Sequence, residues 1–127
     1  MNAYMTVGAN DHATSCAFYD TVLPTIGWSS HESFDGWKSY SVGGRGEGLV
    51  FWVCRPFNGE PATSGNGTMV GFMAKSCEEV DRFYAAAMKA GGQDEGAPGP
   101  RPQYGEKWYA AYLRDPSGNK LAVVFNG

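Results

Sequence analysis

Two histidines, three cysteines and a scatter of carboxylates are the residues that could hold a metal, attack a carbonyl or move a proton. His12 opens a predicted helix, where a surface or capping role suits it. His31 stands beside Glu32, but neighbours on a regular strand point to opposite faces, so the two are not expected to share a pocket. Cys16, Cys54 and Cys77 are odd in number and form no C-x-x-C pair, which argues for reduced thiols and a cytoplasmic setting. A nucleophile elbow, a phosphate loop and a dinucleotide fingerprint are all missing, and Gly43-Gly44-Arg45-Gly46 reads as a hairpin turn. The acidic residues are not paired in the manner of a glycosidase. Arg101 and Tyr104 are the polar groups best placed for recognition. They lie in Gly96 to Gly105, a stretch that carries Pro98, Pro100 and Pro102 and reads as a loop too long for a simple turn. An arginine there could hold a carboxylate or phosphate through its planar fork, or pin the loop by a salt bridge or backbone contact.

The elements that must position these groups repeat. When the chain slides along itself, Phe18-Tyr19 falls on Phe83-Tyr84, Asp11 on Ser76 and Gly27 on Gly92. In each half a short apolar strand precedes a capped helix: 3–8 then 11–26, and 68–74 then 76–90. Asn10 or Asp11 caps the first helix, while Ser76 with Glu79 forms a capping box on the second. Cys16, Tyr19, Val22, Leu23 and Ile26 make one apolar stripe; Val80, Phe83, Tyr84, Ala87 and Met88 make the other. Pro24 should end or bend the first helix, and Gly27 suits the left-handed residue after it. Strands are expected over 28–33, 37–42 and 49–54, then over 108–114 and 120–125, with Asp115-Pro116-Ser117-Gly118-Asn119 as a turn. The order is βαβββ twice, an α+β fold with module 1 over about 3–54, a linker over 55–66 and module 2 over about 67–126.

Composition sets the outer limits. The chain has 127 residues, of which 43% are hydrophobic and 14% aromatic, a profile that buries a real core. Its net charge is −3 with the cations scattered, so no basic stripe exists to neutralise nucleic-acid phosphates. No apolar run approaches the roughly 20 residues that span a bilayer, and Met1 to Tyr4 does not open a signal peptide. Neither nucleic acid nor membrane is expected as a partner.

These features resemble the vicinal oxygen chelate superfamily, the glyoxalase/bleomycin-resistance/dioxygenase fold, in its small glyoxalase-like bacterial branch. The likeness rests on Ser15-Cys16-Ala17-Phe18-Tyr19-Asp20, Gly27-Trp28, Phe51-Trp52-Val53-Cys54-Arg55-Pro56 and Arg101-Pro102-Gln103-Tyr104. Its most specific piece is the run from Trp108 to Asn119. The resemblance implies that each module curls its strands into half a barrel and that two modules, in one chain or across a homodimer, enclose a pocket. It also implies, in metal-dependent members, a His on the opening strand and a Glu or His on the closing one. Those positions fall here on Tyr4, Met69, Val50 and Ala122, a phenol, a thioether and two hydrocarbons that cannot hold a hard cation. Neither a metal nor a cofactor is expected.

What the resemblance leaves is a ligand pocket. By alternation Tyr4 and Thr6 share the inward face, with Met69 and Gly71 opposite them in the second half. Gly71 and Ala122 leave space, while Trp37, Trp52, Trp108 and Tyr109 are candidate aromatic walls. Val50, Arg101 and Tyr104 complete the expected lining, and plain core packing is the bland alternative for each apolar member. Two functions follow. One is a metal-free binding protein of the bleomycin-resistance type, holding a small, partly aromatic or cationic molecule at a dimer interface. The other is a glyoxalase-like lyase or isomerase that works without the usual metal, with Tyr4 as its acid-base candidate. A vestigial pocket on a retained fold is a third possibility.

Overall fold

The computed structural model describes residues 1–127. Strand β1 (Ala3–Gly8) leads into helix α1 (His12–Val22) and a 3-10 turn over Leu23–Ile26. Strands β2 (Trp28–Phe34), β3 (Trp37–Val42) and β4 (Leu49–Cys54) complete the first module. The second repeats the plan with β5 (Val70–Met73), α2 (Cys77–Lys89), β6 (Gln93–Pro100), β7 (Trp108–Arg114) and β8 (Lys120–Asn126). Each module forms one four-stranded mixed sheet, ordered β1-β4-β3-β2 and β5-β8-β7-β6. In each the opening strand runs parallel to the closing one, and the other pairs are antiparallel.

Local chemistry explains the helix ends. The Asp11 carboxylate accepts the Thr14 N–H at 3.1 Å, satisfying a donor that the first turn leaves free. Pro24 then tightens the last turn into a 3-10 form, and Gly27 follows at φ 81°, a conformation open to glycine at little cost. At α2 the Ser76 hydroxyl accepts the Glu79 N–H at 3.1 Å. The Glu79 carboxylate reaches back to the Lys75 N–H at 2.8 Å, one residue earlier than the usual capping box.

The strand β6 corrects the expectation of a loop beginning at Gly96. Gly96, Pro98, Gly99 and Pro100 give it no apolar alternation, yet it pairs with β7 through two register shifts. As the outermost strand of its sheet it can carry prolines, because one side of its backbone owes no hydrogen bonds. The connecting turn is therefore shorter, from Arg101 to Lys107, and closes through Arg101 N–H to the Trp108 carbonyl at 2.8 Å.

The helix-side faces of both sheets share one core. Val7, Phe51 and Val53 meet the α1 stripe, and Phe72, Leu121 and Val123 meet Val80, Phe83 and Ala87 of α2. Phe72 joins the halves: its ring lies 5.3 Å from both Trp28 and Phe51 and 6.0 Å from Phe83. A polar latch reinforces this contact. Buried Asp115 accepts the Tyr19 hydroxyl at 2.6 Å and the Asn119 side-chain amide at 2.9 Å, and the same amide donates to the Gly8 carbonyl at 2.8 Å. The Ser117 and Asn119 backbone N–H groups take up the second carboxylate oxygen. The turn between β7 and β8 is thereby tied to β1 and α1 across the module boundary.

Candidate functional site: two hollows on the concave faces

Alternation along each strand sends one set of side chains to the helices and leaves the other on the open, concave face. On β1 Met5 and Val7 join the core, while Tyr4 is 64% exposed. Large apolar groups gather there in both modules: Phe34, Met69, Met73 and Tyr104 are also exposed. Scattered surface apolar residues need no explanation, but a contiguous face of them marks something meant to be covered.

A hollow of about 620 Å³ sits on the first sheet, lined by Met1, Tyr4, His31, Glu32, Phe34, Trp37, Gly46, Val50 and Trp52. Its walls are aromatic. Phe34 and Trp52 stack with centroids 6.0 Å apart and 13° between planes, and Trp37 meets Trp52 edge-on at 6.0 Å. His31 and Glu32 both face it, which differs from the sequence expectation. The pairing of β2 with β3 shifts register between Ser30 and Ser33, and such a bulge breaks the strict alternation. His31 Nδ1 bonds the Gly44 carbonyl at 3.1 Å, and its Nε2 lies 3.3 Å from a Glu32 oxygen. Gly46 allows this packing: a Cβ there would overlap the imidazole.

The second sheet carries a hollow of about 650 Å³ lined by Met69, Glu95, Gly96, Arg101, Gln103, Tyr104, Trp108, Tyr112 and Lys120. Arg101 is fixed by three carbonyl bonds, to Ala97 at 2.8 Å, Gly99 at 2.9 Å and Pro100 at 3.3 Å. Its guanidinium also lies 5.6 Å from the centroid of the Tyr112 ring. So Arg101 does pin its loop, and it still faces the hollow. The Trp108 indole donates to the Tyr112 hydroxyl at 3.1 Å and sets that wall.

The eleven residues expected to line one pocket are thus divided. Tyr4, Trp37, Val50 and Trp52 meet in the first hollow; Met69, Arg101 and Tyr104 meet in the second. Thr6, Gly71 and Ala122 share the concave faces but lie outside both linings. Thr6 is exposed opposite Trp52, Ala122 is buried beneath Trp108 and Tyr112, and a Cβ on Gly71 would meet open space. Tyr109 corrects the expectation outright. It follows Trp108 on a regular strand, so it points the other way, and its hydroxyl donates to Asp81 of α2 at 2.7 Å. That hydrogen bond, with partial burial, pushes the Tyr109 pKa up to about 12. Tyr112, an odd three residues on and so on the opposite face, holds the wall that Tyr109 was expected to form. The hollows on the concave faces are each lined from one sheet alone, so those faces do not close over one another within one chain.

A divalent ion does not fit the four family positions. Tyr4 is a solvent-facing phenol, Val50 and Ala122 are buried hydrocarbons, and Met69 offers a thioether. The pairing also corrects their symmetry: Tyr4 lies opposite Val50, but Ala122 lies opposite Gly71, leaving Met69 beside Lys120. No three His, Cys, Asp or Glu side chains converge anywhere in the chain. Tyr4, the acid-base candidate, is a solvent-exposed phenol and not a buried one.

The helix side holds a second set of titratable groups, His12, Cys16, Asp20, Lys38 and Tyr40. His12 is tied to the Val53 carbonyl at 3.0 Å and packs 3.4 Å from the Cys16 sulfur. Burial pushes the Cys16 thiol pKa up, which disfavours the thiolate. Burial also raises Tyr40, whose hydroxyl donates to Asp20 at 2.8 Å, and the same carboxylate takes Lys38.

The model of the Glyoxalase/Bleomycin resistance protein/Dioxygenase superfamily matches residues 3–123. The chain belongs to that superfamily. A glyoxalase/bleomycin resistance protein from Albidiferax ferrireducens T118 is similar over 100% of this chain and 98% of its own, with 38% identity and a TM-score of 0.86. A glyoxalase-related enzyme from Fulvimarina pelagi, at 23% identity and TM-score 0.77, covers 99% of this chain and 88% of its own. A lactoylglutathione lyase from Agrobacterium tumefaciens, at 18% and 0.67 over 98% of this chain and 92% of its own, shares the fold. No curated protein matches the sequence. The superfamily supplies the scaffold, while the residues on the concave faces decide what this glyoxalase-like chain does with it.

Proposed function

We propose that this glyoxalase-like protein binds a small organic molecule on its concave faces without a metal ion or other cofactor. The observation that carries the reading is the first hollow: three aromatic rings set to receive a planar group, beside a carboxylate that would favour a partly cationic one. The hollows open outward and each belongs to one sheet, which supports a homodimer in which two copies cover one another's concave faces and complete the sites. Free cysteines at 16, 54 and 77 suit a reducing cytoplasm. No helix is long and apolar enough to cross a membrane.

A thermal-shift screen of planar organic compounds tests the reading. Several should raise the melting temperature, and Trp52→Ala should erase the shift. The rival function, a lyase or isomerase that uses Tyr4 as its acid-base group, predicts that Tyr4→Phe abolishes turnover and barely changes ligand affinity. Elemental analysis of protein purified without chelator separates the two further: a full equivalent of nickel, zinc, iron or manganese would overturn the metal-free proposal. Sedimentation at micromolar concentration should show a dimer; a monomer would remove the shared-site part.

A further inference from the structure

We infer that the second hollow is a subsite for an oxyanion, a carboxylate or phosphate group, anchored by Lys120 with Arg101 as the fixed partner. This deepens the small-molecule proposal by naming the chemical class that one end of the ligand must carry.

One cross-strand pairing on this face is not favoured by folding alone. Lys120 and Arg114 lie directly opposite on adjacent strands, and both project to the concave face. Like charges in that position repel and destabilise the sheet. Arg114 is partly neutralised: its Nε donates to Glu95 at 3.1 Å and its Nη1 to the Gly118 carbonyl at 2.9 Å. The Lys120 ammonium has no such relief, because none of the chain's five ion pairs includes it. Arg101 has no carboxylate partner either. Three of its five N–H groups are spent on carbonyls, leaving two without a protein acceptor on a guanidinium already held in place. Arg101 and Lys120 therefore face one carboxylate around this hollow, Glu95, and that carboxylate is already engaged by Arg114.

The surroundings are built for an anion as well. Lys120 and Met69 border both this hollow and the adjoining one of about 700 Å³, where Thr63, Ser64, Asn66 and Thr68 add hydroxyl and amide groups. Partial burial weakens solvent screening of the two uncompensated charges. An oxyanion placed there would relieve the cross-strand repulsion and take charge-assisted bonds from a donor whose conformational entropy is already lost.

The test is a ¹H–¹⁵N NMR titration of the Arg101 Nε–H and Trp108 Nε1–H signals with acetate and, separately, with inorganic phosphate. Ionic strength is held constant with chloride. Saturable shifts are expected, with affinity falling about tenfold in Lys120→Gln, the loss of one charge-assisted contact. The Lys120 side chain makes no protein hydrogen bond, so this variant keeps the fold, and Lys89→Gln at the end of α2 matches its charge change and should behave like the parent protein. Tighter acetate binding would identify a carboxylate ligand, and tighter phosphate binding a phosphorylated one. Shifts that never saturate, or equal affinity in Lys120→Gln and the parent, would overturn the inference. If aromatic compounds still bind at Trp52 in that case, the binding proposal stands without it. If aromatic binding fails while anions saturate, only the first hollow was misread.

Discussion

The two modules have the same strand order and the same helix placement, yet their concave faces differ in chemistry. On the first sheet Tyr4 and Val50 sit side by side beneath stacked aromatic rings, and the one carboxylate at the hollow is engaged by His31. On the second, the residues following the same plan are Met69 and Lys120, and the hollow collects cations with too few acids. The helix-side faces show no such divergence. Phe18 and Phe83, matched in the repeat, are both buried in one core. What two copies of a module must keep is the surface they share, because a cavity or an unpaired group there costs stability directly. What they are free to vary is the surface that meets a ligand.

That contrast can be broken from either side, and the largest effect should come from the shared side. Phe72→Ala removes the ring that touches Trp28, Phe51 and Phe83, and should cost about 3–5 kcal/mol in urea denaturation. A loss below about 1 kcal/mol would mean that the halves are not mutually dependent. Asp115→Asn comes next. It sets an amide against donors from Tyr19, Ser117 and Asn119, so about 2 kcal/mol should be lost by the same measurement. On the ligand-facing side Trp52→Ala should leave stability within about 1 kcal/mol of the parent, since the ring is only half buried. Its affinity for a planar aromatic compound should drop at least about tenfold by isothermal titration.

The smallest effect lies at high pH. The folded state holds the Tyr109 proton more tightly than the unfolded chain does. Its contribution is therefore complete below the ordinary value of 10.0 and fades as pH rises through about 12. Buried Tyr19 and Tyr40, also raised, act in the same direction. Denaturation curves recorded across this range should fall less steeply with pH for Tyr109→Phe than for the parent. Parallel curves would show that the Asp81 hydrogen bond is not maintained in solution.

Much of the architecture was legible in the residues because core-facing positions follow simple periods. The stripes on α1 and α2, the stop at Pro24 and Gly27, and strands such as Trp37–Val42 all follow from spacing and turn chemistry. Strand β6 was not legible, since its glycines and prolines carry no apolar alternation and it is held by its neighbour and not by its own preference. The site was read less well, for reasons of parity. A bulge put His31 and Glu32 on one hollow, and one step along β7 separates the wall-forming Trp108 from the helix-facing Tyr109. Lys120 gave no local signal at all. Its interest arises only from standing opposite Arg114 without an ion pair of its own.

The four indoles divide along the lines of the account: Trp37 and Trp52 in the first hollow, Trp108 in the second, and Trp28 in the core between modules. Titrating the protein with naphthalene-2-carboxylate while following the four indole N–H signals by NMR therefore tests the concave-face claim most directly. Saturable shifts at Trp37, Trp52 or Trp108 with Trp28 unmoved are predicted. A saturable shift at Trp28 alone, or no saturation at any of the four, would contradict it.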